Sequence, residues 1–257
     1  MLELRDIHKY YNPGSVNEIS LFQGFNLKVE DEEFVSVVGS NGSGKTSMLN
    51  IICGSIEVDS GSVWVNNSAI TNMKEYKRLN KIGRVYQNPA MGTCPSMTIM
   101  ENMALAENKG QSYNLGLCVR KKQREKYQDL LRPLNLGLED KMDVKVETLS
   151  GGQRQAMALL MSTLTPIEFL ILDEHTAALD PKTAEINMQL TDETVITKKL
   201  TTIMVTHNLR YAIEYGNRII MMHQGKIIFD KRGKEKEKLE INEVLDIFNE
   251  ISIECGN

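Results

Sequence analysis

Short apolar runs punctuate this chain, and most are followed by a stretch with helical spacing. Phe34-Val-Ser-Val-Val38, Phe169-Leu-Ile-Leu172 and Ile203-Met-Val205 are continuous rather than alternating. That is the pattern of strands covered on both faces, and it predicts an α/β core with a parallel sheet. Phe25-Asn-Leu-Lys-Val29 alternates apolar and polar residues, and Ser62-Val-Trp-Val65 does so more weakly. Both read as half-solvated strands of an antiparallel layer near the N-terminus. Arg218-Ile-Ile-Met-Met222 and Lys226-Ile-Ile-Phe229 flank His223-Gln-Gly225, which predicts a hairpin. Between Pro95 and Thr163 the pattern is mainly helical: Thr98-Ile-Met-Glu101 has the spacing of a capping box, and Arg120 to Leu131 is rich in helix formers. This middle part reads as a helical insertion. The charged run Lys231 to Glu240 reads as a solvated helix or loop.

Composition narrows the classes. With 257 residues, 41% hydrophobic and 25% charged, the chain has ordinary globular make-up. A net charge of −4 disfavours general binding to nucleic-acid backbones. Cys53, Cys94, Cys118 and Cys255 are scattered and form no Cys-x-x-Cys pair, so neither a zinc site nor a disulfide framework is expected. The start, Met-Leu-Glu-Leu-Arg-Asp, lacks the basic and apolar regions of a signal peptide. No apolar run is long enough to span a bilayer, so any work at a membrane would require a partner.

Two constellations carry chemistry. Gly39-Ser-Asn-Gly-Ser-Gly44-Lys45-Thr46 fits G-x-x-x-x-G-K-[ST], placed after a predicted strand and before the helical stretch that begins at Ser47. Glycines let the backbone N–H groups turn inward around phosphates, and a helix N-terminus adds positive potential. In such a loop Lys45 reaches the β- and γ-phosphates and the Thr46 hydroxyl ligates Mg²⁺. Asp173 and Glu174 end the apolar run Phe169 to Leu172. One carboxylate there suits the metal and the other suits activation of a water. Two acids in that place also serve as ordinary helix caps, and the phosphate loop weighs against that reading. To this point the sequence says P-loop nucleoside triphosphatase.

Leu149-Ser150-Gly151-Gly152-Gln153 resembles the LSGGQ signature of ABC ATPases, and it precedes Asp173 and Glu174 in that family's order. Gln87 resembles the Q-loop glutamine, Ala177-Ala-Leu-Asp180 the D-loop and His207 the switch histidine; Tyr11 resembles the aromatic residue on which adenine stacks. Tyr10 is the alternative to Tyr11, facing the other way in an extended segment. Asp180 before Pro181 also reads as a helix cap.

The resemblance, from about Leu2 to Asp230, implies the ABC ATPase fold: a P-loop core with a parallel sheet, an N-terminal antiparallel β subdomain and a helical insertion. Residues 1–90 and 164–257 would form the core and antiparallel parts, and about 91–163 the helical subdomain, all in one domain. It implies ATP and Mg²⁺, with Glu174, His207 and Gln87 in catalysis and Thr46, Gln87 and Asp173 at the metal. Tyr11, Gly39, Ser40, Asn41, Gly42, Ser43, Gly44, Lys45, Thr46 and Ser47 would hold ATP. The signature would close over ATP held by a second, head-to-tail subunit, most simply a second copy of this chain.

The remaining implied partners are a separate permease and an extracytoplasmic binding protein, with the ATPase peripheral on the cytoplasmic face of the membrane and no nucleic acid involved. Only residues 231–257 follow the resemblance, so no regulatory domain of the maltose- or methionine-importer kind is expected. The segment from Asn88 to Ala106 resembles a subgroup of importer ATPases, some associated with tryptophan or tyrosine uptake. Exporter or lipoprotein-release ATPases, and ABC ATPases without a permease, are the alternatives. Met91, Met97, Met100 and Met103 read equally as an adaptable docking surface for the permease or as core. His175 stands where the family most often has proline, and nothing in the sequence accounts for it.

Overall fold

The computed structural model describes residues 1–111 and 119–254, so Cys118 and Cys255 lie outside the described residues. The chain divides into two compact units, residues 1–79 with the part from 199 onward, and residues 80–198. The first begins with β1 (Leu2–Tyr11), β2 (Ile19–Val29), β3 (Phe34–Gly39), α1 (Lys45–Cys53), β4 (Ser60–Val65), β5 (Ser68–Ala69) and a single turn α2 (Glu75–Arg78). β1 pairs antiparallel with both β2 and β4, with Leu2 opposite Val29 on one side and Val65 on the other. The alternation seen in the sequence has its cause here, since Phe25, Leu27 and Val29 are buried while Asn26 and Lys28 between them are exposed. β3 is buried at every position.

Arg78 is a buried cation of this unit. Its guanidinium donates to the carbonyls of Ile51 at 2.8 Å and Ile52 at 3.1 Å, capping the C-terminal end of α1 where intrahelical partners run out. Nε and Nη2 donate further bonds to the carbonyls of Met73 and Thr71.

The second unit holds β6 (Ile82–Val85), α3 (Ile99–Glu107), α4 (Arg124–Leu131), α5 (Gly151–Ser162), β7 (Phe169–Asp173) and α6 (Pro181–Lys198). β6 and β7 are parallel, with Val85 beside Leu172. The capping box at Thr98 forms as expected: the Thr98 hydroxyl accepts from the Glu101 N–H and the Glu101 carboxylate accepts from the Thr98 N–H. The helical core gathers Ile99, Met103, Tyr127, Leu131, Met142 and Met157. It also divides the four methionines. Met100 and Met103 are core, while Met91 is 68% and Met97 38% exposed.

The exposed pair lies on a loop pinned by fully buried Asn102. Its amide donates to the carbonyls of Cys94 and Thr98 at 3.0 and 2.9 Å, and its oxygen accepts from the Cys94 N–H at 2.7 Å. Asn102→Leu removes these side-chain bonds and leaves the half-buried Cys94 N–H and carbonyl without them. It should lower unfolding free energy by about 2–4 kcal/mol in chemical denaturation, whereas a loss below about 0.5 kcal/mol would mean the loop is held by other contacts.

The chain then completes the first unit with β8 (Thr202–Val205), α7 (Leu209–Glu214), β9 (Arg218–His223), β10 (Lys226–Arg232), α8 (Lys234–Glu237) and α9 (Ile241–Glu254). β3 lies between β8 and β9 and is parallel to both, which is why it is buried throughout. β9 and β10 form the expected hairpin. The charged run is solvated except at Lys236, which is 3% exposed and donates to the carbonyls of Tyr215 and Gly216. No helix among the described residues is long and apolar enough to cross a membrane.

Candidate functional site

In the first unit the glycine-rich loop joins β3 to α1. The helix opens at Lys45 behind Gly44, whose φ is 101°; no side chain caps it and its first turn holds no acid. α3 and α5, by contrast, are capped by Thr98 and Ser150. An uncapped first turn with inward N–H groups suits an anion. Lys45 is 5% exposed, and its ammonium lies over the loop, bonded to the carbonyls of Gly39 at 2.8 Å and Ser40 at 2.9 Å and 3.4 Å from the Ser43 hydroxyl. Asn41, Gly42 and Thr46 are exposed, and Ser40 and Ser47 half-buried.

The hairpin turn supports this loop from below. Gly225 donates its N–H to the Ser43 carbonyl at 3.0 Å, and Gly39 lies so close to Met222 that a Cβ would fall 2.1 Å from its carbonyl oxygen. A cavity of about 370 Å³ beside the loop is lined by Ile19, Leu21, Gly42, Gln224, Gly225 and their neighbours. Its size is that of a small-molecule pocket. Tyr11 is paired with Ile19 across β1 and β2, at the edge of this cavity, with the Lys9 ammonium 5.7 Å from its ring centre. Tyr10 is occupied elsewhere: its N–H bonds Asp59 at 2.6 Å and its ring stacks on His8. His207 is exposed just past β8, where the Thr206 N–H bonds the Val37 carbonyl next to the loop.

In the second unit Asp173 closes β7 and Gln87 follows β6, so the parallel register brings their strand ends side by side. Asp173 is paired with Arg84 at 2.9 Å; both are largely buried, and the guanidinium stacks 4.6 Å above the Tyr86 ring. Nothing local along the chain points to this pair, because only strand register places Arg84 beside Asp173.

Glu174 is half-buried with φ 47°, a left-handed conformation that costs energy for a residue with a side chain. His175 is 3% exposed, and burial pushes its pKa down to about 4, which keeps the ring neutral. Ser150 and Gln153 form a full capping box at the start of α5, with Leu149 buried before it and Gly151 exposed after it. Gly152 is pressed against α6: a Cβ there would lie 2.0 Å from the Thr183 methyl. Asp180 caps α6, accepting from the Thr183 N–H at 3.1 Å, and its bonds to Thr183 hold its pKa below the usual carboxylate range.

No group of three or more His, Cys, Asp or Glu side chains comes together as a metal site among the described residues. Thr46, Gln87 and Asp173 offer only hard oxygens, and Thr46 and Gln87 are exposed. Oxygens of that kind fit Mg²⁺, which keeps waters and takes much of its coordination from phosphate oxygens.

Comparison with known proteins gives the site its context. Residues 22–177, which contain the glycine-rich loop, the signature and both carboxylates, match the ABC transporter family model. The chain belongs to the ABC transporter family. Among its relatives, this ABC ATPase is 48% identical to the tyrosine transport ATP-binding protein of Clostridioides difficile (strain R20291), over 96% of this chain and 98% of that one. It is 32% identical to the xylose/arabinose import ATP-binding protein XylG of Sulfolobus acidocaldarius, over 96% and 94% of the two chains. The dimeric ATP-binding cassette MJ0796, solved in a post-hydrolysis state with ADP and Pi, superposes with a TM-score of 0.75 at 30% identity, covering 90% of this chain and 98% of that chain. The fold is the expected one, an α/β cassette with a parallel core and an antiparallel N-terminal sheet. The protein is the ATP-hydrolysing subunit of an ABC import system.

Proposed function

We propose that the phosphate loop, the residues at the strand ends and the signature share the work on ATP. Asn41, Gly42 and Ser43 wrap the phosphates, and the first-turn N–H groups of Gly44, Lys45, Thr46 and Ser47 face them, with Gly39 and Ser40 closing the turn. Lys45 exchanges the loop carbonyls for β- and γ-phosphate oxygens. Thr46, Gln87 and Asp173 would hold Mg²⁺, which supplies neutralisation of charge on the β- and γ-oxygens. Glu174 accepts a proton from the attacking water, His207 contacts the γ-phosphate and orients that water, and Gln87 reports occupancy of the site. Leu149, Ser150, Gly151, Gly152 and Gln153 present the capped start of α5 to ATP on a second copy of the chain, and Asp180 contacts that copy as well as capping α6.

Tyr11 takes the adenine. Stacking of a base on an aromatic ring is worth about 1–3 kcal/mol. Tyr11→Ala should therefore weaken ATP binding by roughly tenfold or more in calorimetry, while Tyr10→Ala changes it little. The reverse pattern would move the adenine to Tyr10.

The transported solute is an aromatic amino acid, delivered by an extracytoplasmic binding protein to a permease on whose cytoplasmic side this subunit docks through the exposed Met91 and Met97 segment. The observation that carries this reading is the 48% identity, end to end, with a tyrosine transport subunit. Uptake of labelled tyrosine by cells lacking this chain tests it. Tyrosine uptake should fall and return on complementation. Unchanged tyrosine uptake with loss of sugar or polyamine uptake would place the system in another substrate class.

A further inference from the structure

The residue after Glu174 has a role that the family resemblance does not supply. Glu174 holds a left-handed backbone, φ 47°, which a residue with a Cβ adopts only when its neighbours hold it there. The turn is closed on one side by the Ala177 N–H bonding the Glu174 carbonyl at 3.0 Å. On the other side His175 is driven into the interior, 3% exposed, with Nε2 3.1 Å from the Thr191 hydroxyl. Thr191 is fully buried on α6 and gives its own hydroxyl hydrogen to the Asn187 carbonyl at 2.7 Å. Its oxygen is then left to accept, so Nε2 of His175 is the donor and the ring is the Nε2–H tautomer.

The anchor lies on a firm support. α6 runs 18 residues, and Asn187, one turn before Thr191, bonds the Thr183 carbonyl at 3.0 Å. Thr183 is in turn held at the helix start by Asp180 and pressed on by Gly152.

We propose that His175 is a positioning residue for Glu174: its hydrogen bond to Thr191 ties the turn after β7 to α6 and so aims the Glu174 carboxylate. A merely structural histidine would affect folding and nucleotide binding alike. A positioning one affects the rate with ATP bound and leaves the binding of ATP alone, because Glu174 meets the reacting water rather than the nucleotide in the ground state. Small misplacements of a reacting group are costly, so the rate should fall by roughly tenfold to a hundredfold. The inference rests on the reading of Glu174 as the general base.

The test uses the full chain with His175→Met and Thr191→Val, which remove donor and acceptor at similar volume, and His175→Gln and Thr191→Ser, which restore them. Turnover, KM for ATP and Tm are measured in each, and His175→Met is repeated with Glu174→Gln. The expected result is a lower kcat in His175→Met and Thr191→Val at nearly unchanged KM. The two restoring variants should regain most of the loss, and His175→Met should cost nothing more once Glu174 is gone. Wild-type kcat in folded His175→Met or Thr191→Val overturns the proposal. So does a loss that tracks Tm and KM and is not rescued by glutamine or serine. The proposal is kept separate from the reading beneath it by Glu174→Gln alone: if that variant turns over like wild type, it is the assignment of Glu174 that fails.

Discussion

Glu174→Gln should lower Mg-ATP turnover by at least about a hundredfold and still bind ATP. A general base contributes about 10²–10⁴ in rate, and glutamine keeps the volume and one hydrogen-bonding oxygen while it cannot take a proton. The phosphate loop has supports of its own. Lys45 is held by the carbonyls of Gly39 and Ser40, and α1 is clamped at its far end by Arg78. Nucleotide affinity should therefore survive. If ATP holds two subunits together and hydrolysis releases them, blocking hydrolysis also traps the pair, so the variant should elute as a dimer with ATP and as a monomer with ADP. A Glu174→Gln protein that hydrolyses ATP at the wild-type rate would remove Glu174 from the mechanism.

Gly225→Ala should be among the most damaging single-methyl changes outside the nucleotide site. Gly225 has φ 74°, and a Cβ there would fall 1.7 Å from the Leu21 carbonyl oxygen. The backbone must move, and the first bond to move is its N–H donation to the Ser43 carbonyl, which supports the phosphate loop. Left-handed strain and overpacking each cost about 1–3 kcal/mol, so a loss of about 2–6 kcal/mol in urea denaturation is expected. ATP affinity should fall with it, because the displaced loop presents its N–H groups in the wrong directions. Gly14→Ala is the control: φ is 75° there, but nothing lies within 4 Å of the added carbon. It should show the strain alone and leave ATP binding intact. Equal effects of the two substitutions would mean that the contact with Leu21 and Ser43 is unimportant.

These particular residues also show what the chain discloses before folding. The phosphate loop, the signature and the strands that precede Thr46 and Asp173 are contiguous, so local spacing carries them. Thr98 with Glu101, and Ser150 with Gln153, are capping pairs three residues apart, and both form. What escaped depends on distant partners. Arg84 meets Asp173 only through the register of β6 on β7. Lys236 looks solvated within a charged run, but two carbonyls some 20 residues earlier take it inside. The methionines at 100 and 103 share one face of α3 and are core, whereas those at 91 and 97 precede the helix and are exposed, a division that depends on where the helix begins. Gly225 looked like an ordinary turn glycine, since nothing local shows that the turn lies under the Ser43 carbonyl.

If the signature of one chain completes the ATP site of another, two inactive variants damaged in different parts should restore activity when mixed. Lys45→Ala disables a chain's own phosphate loop, and Ser150→Arg blocks its signature. Each homodimer then has every site damaged. In a mixed pair one site is damaged twice, and the other keeps an intact phosphate loop facing an intact signature. ATP turnover should be near zero for each variant alone and return on mixing. If the mixture stays as inactive as its components, while each variant remains folded and able to associate, the signature does not act across the dimer and the account is wrong.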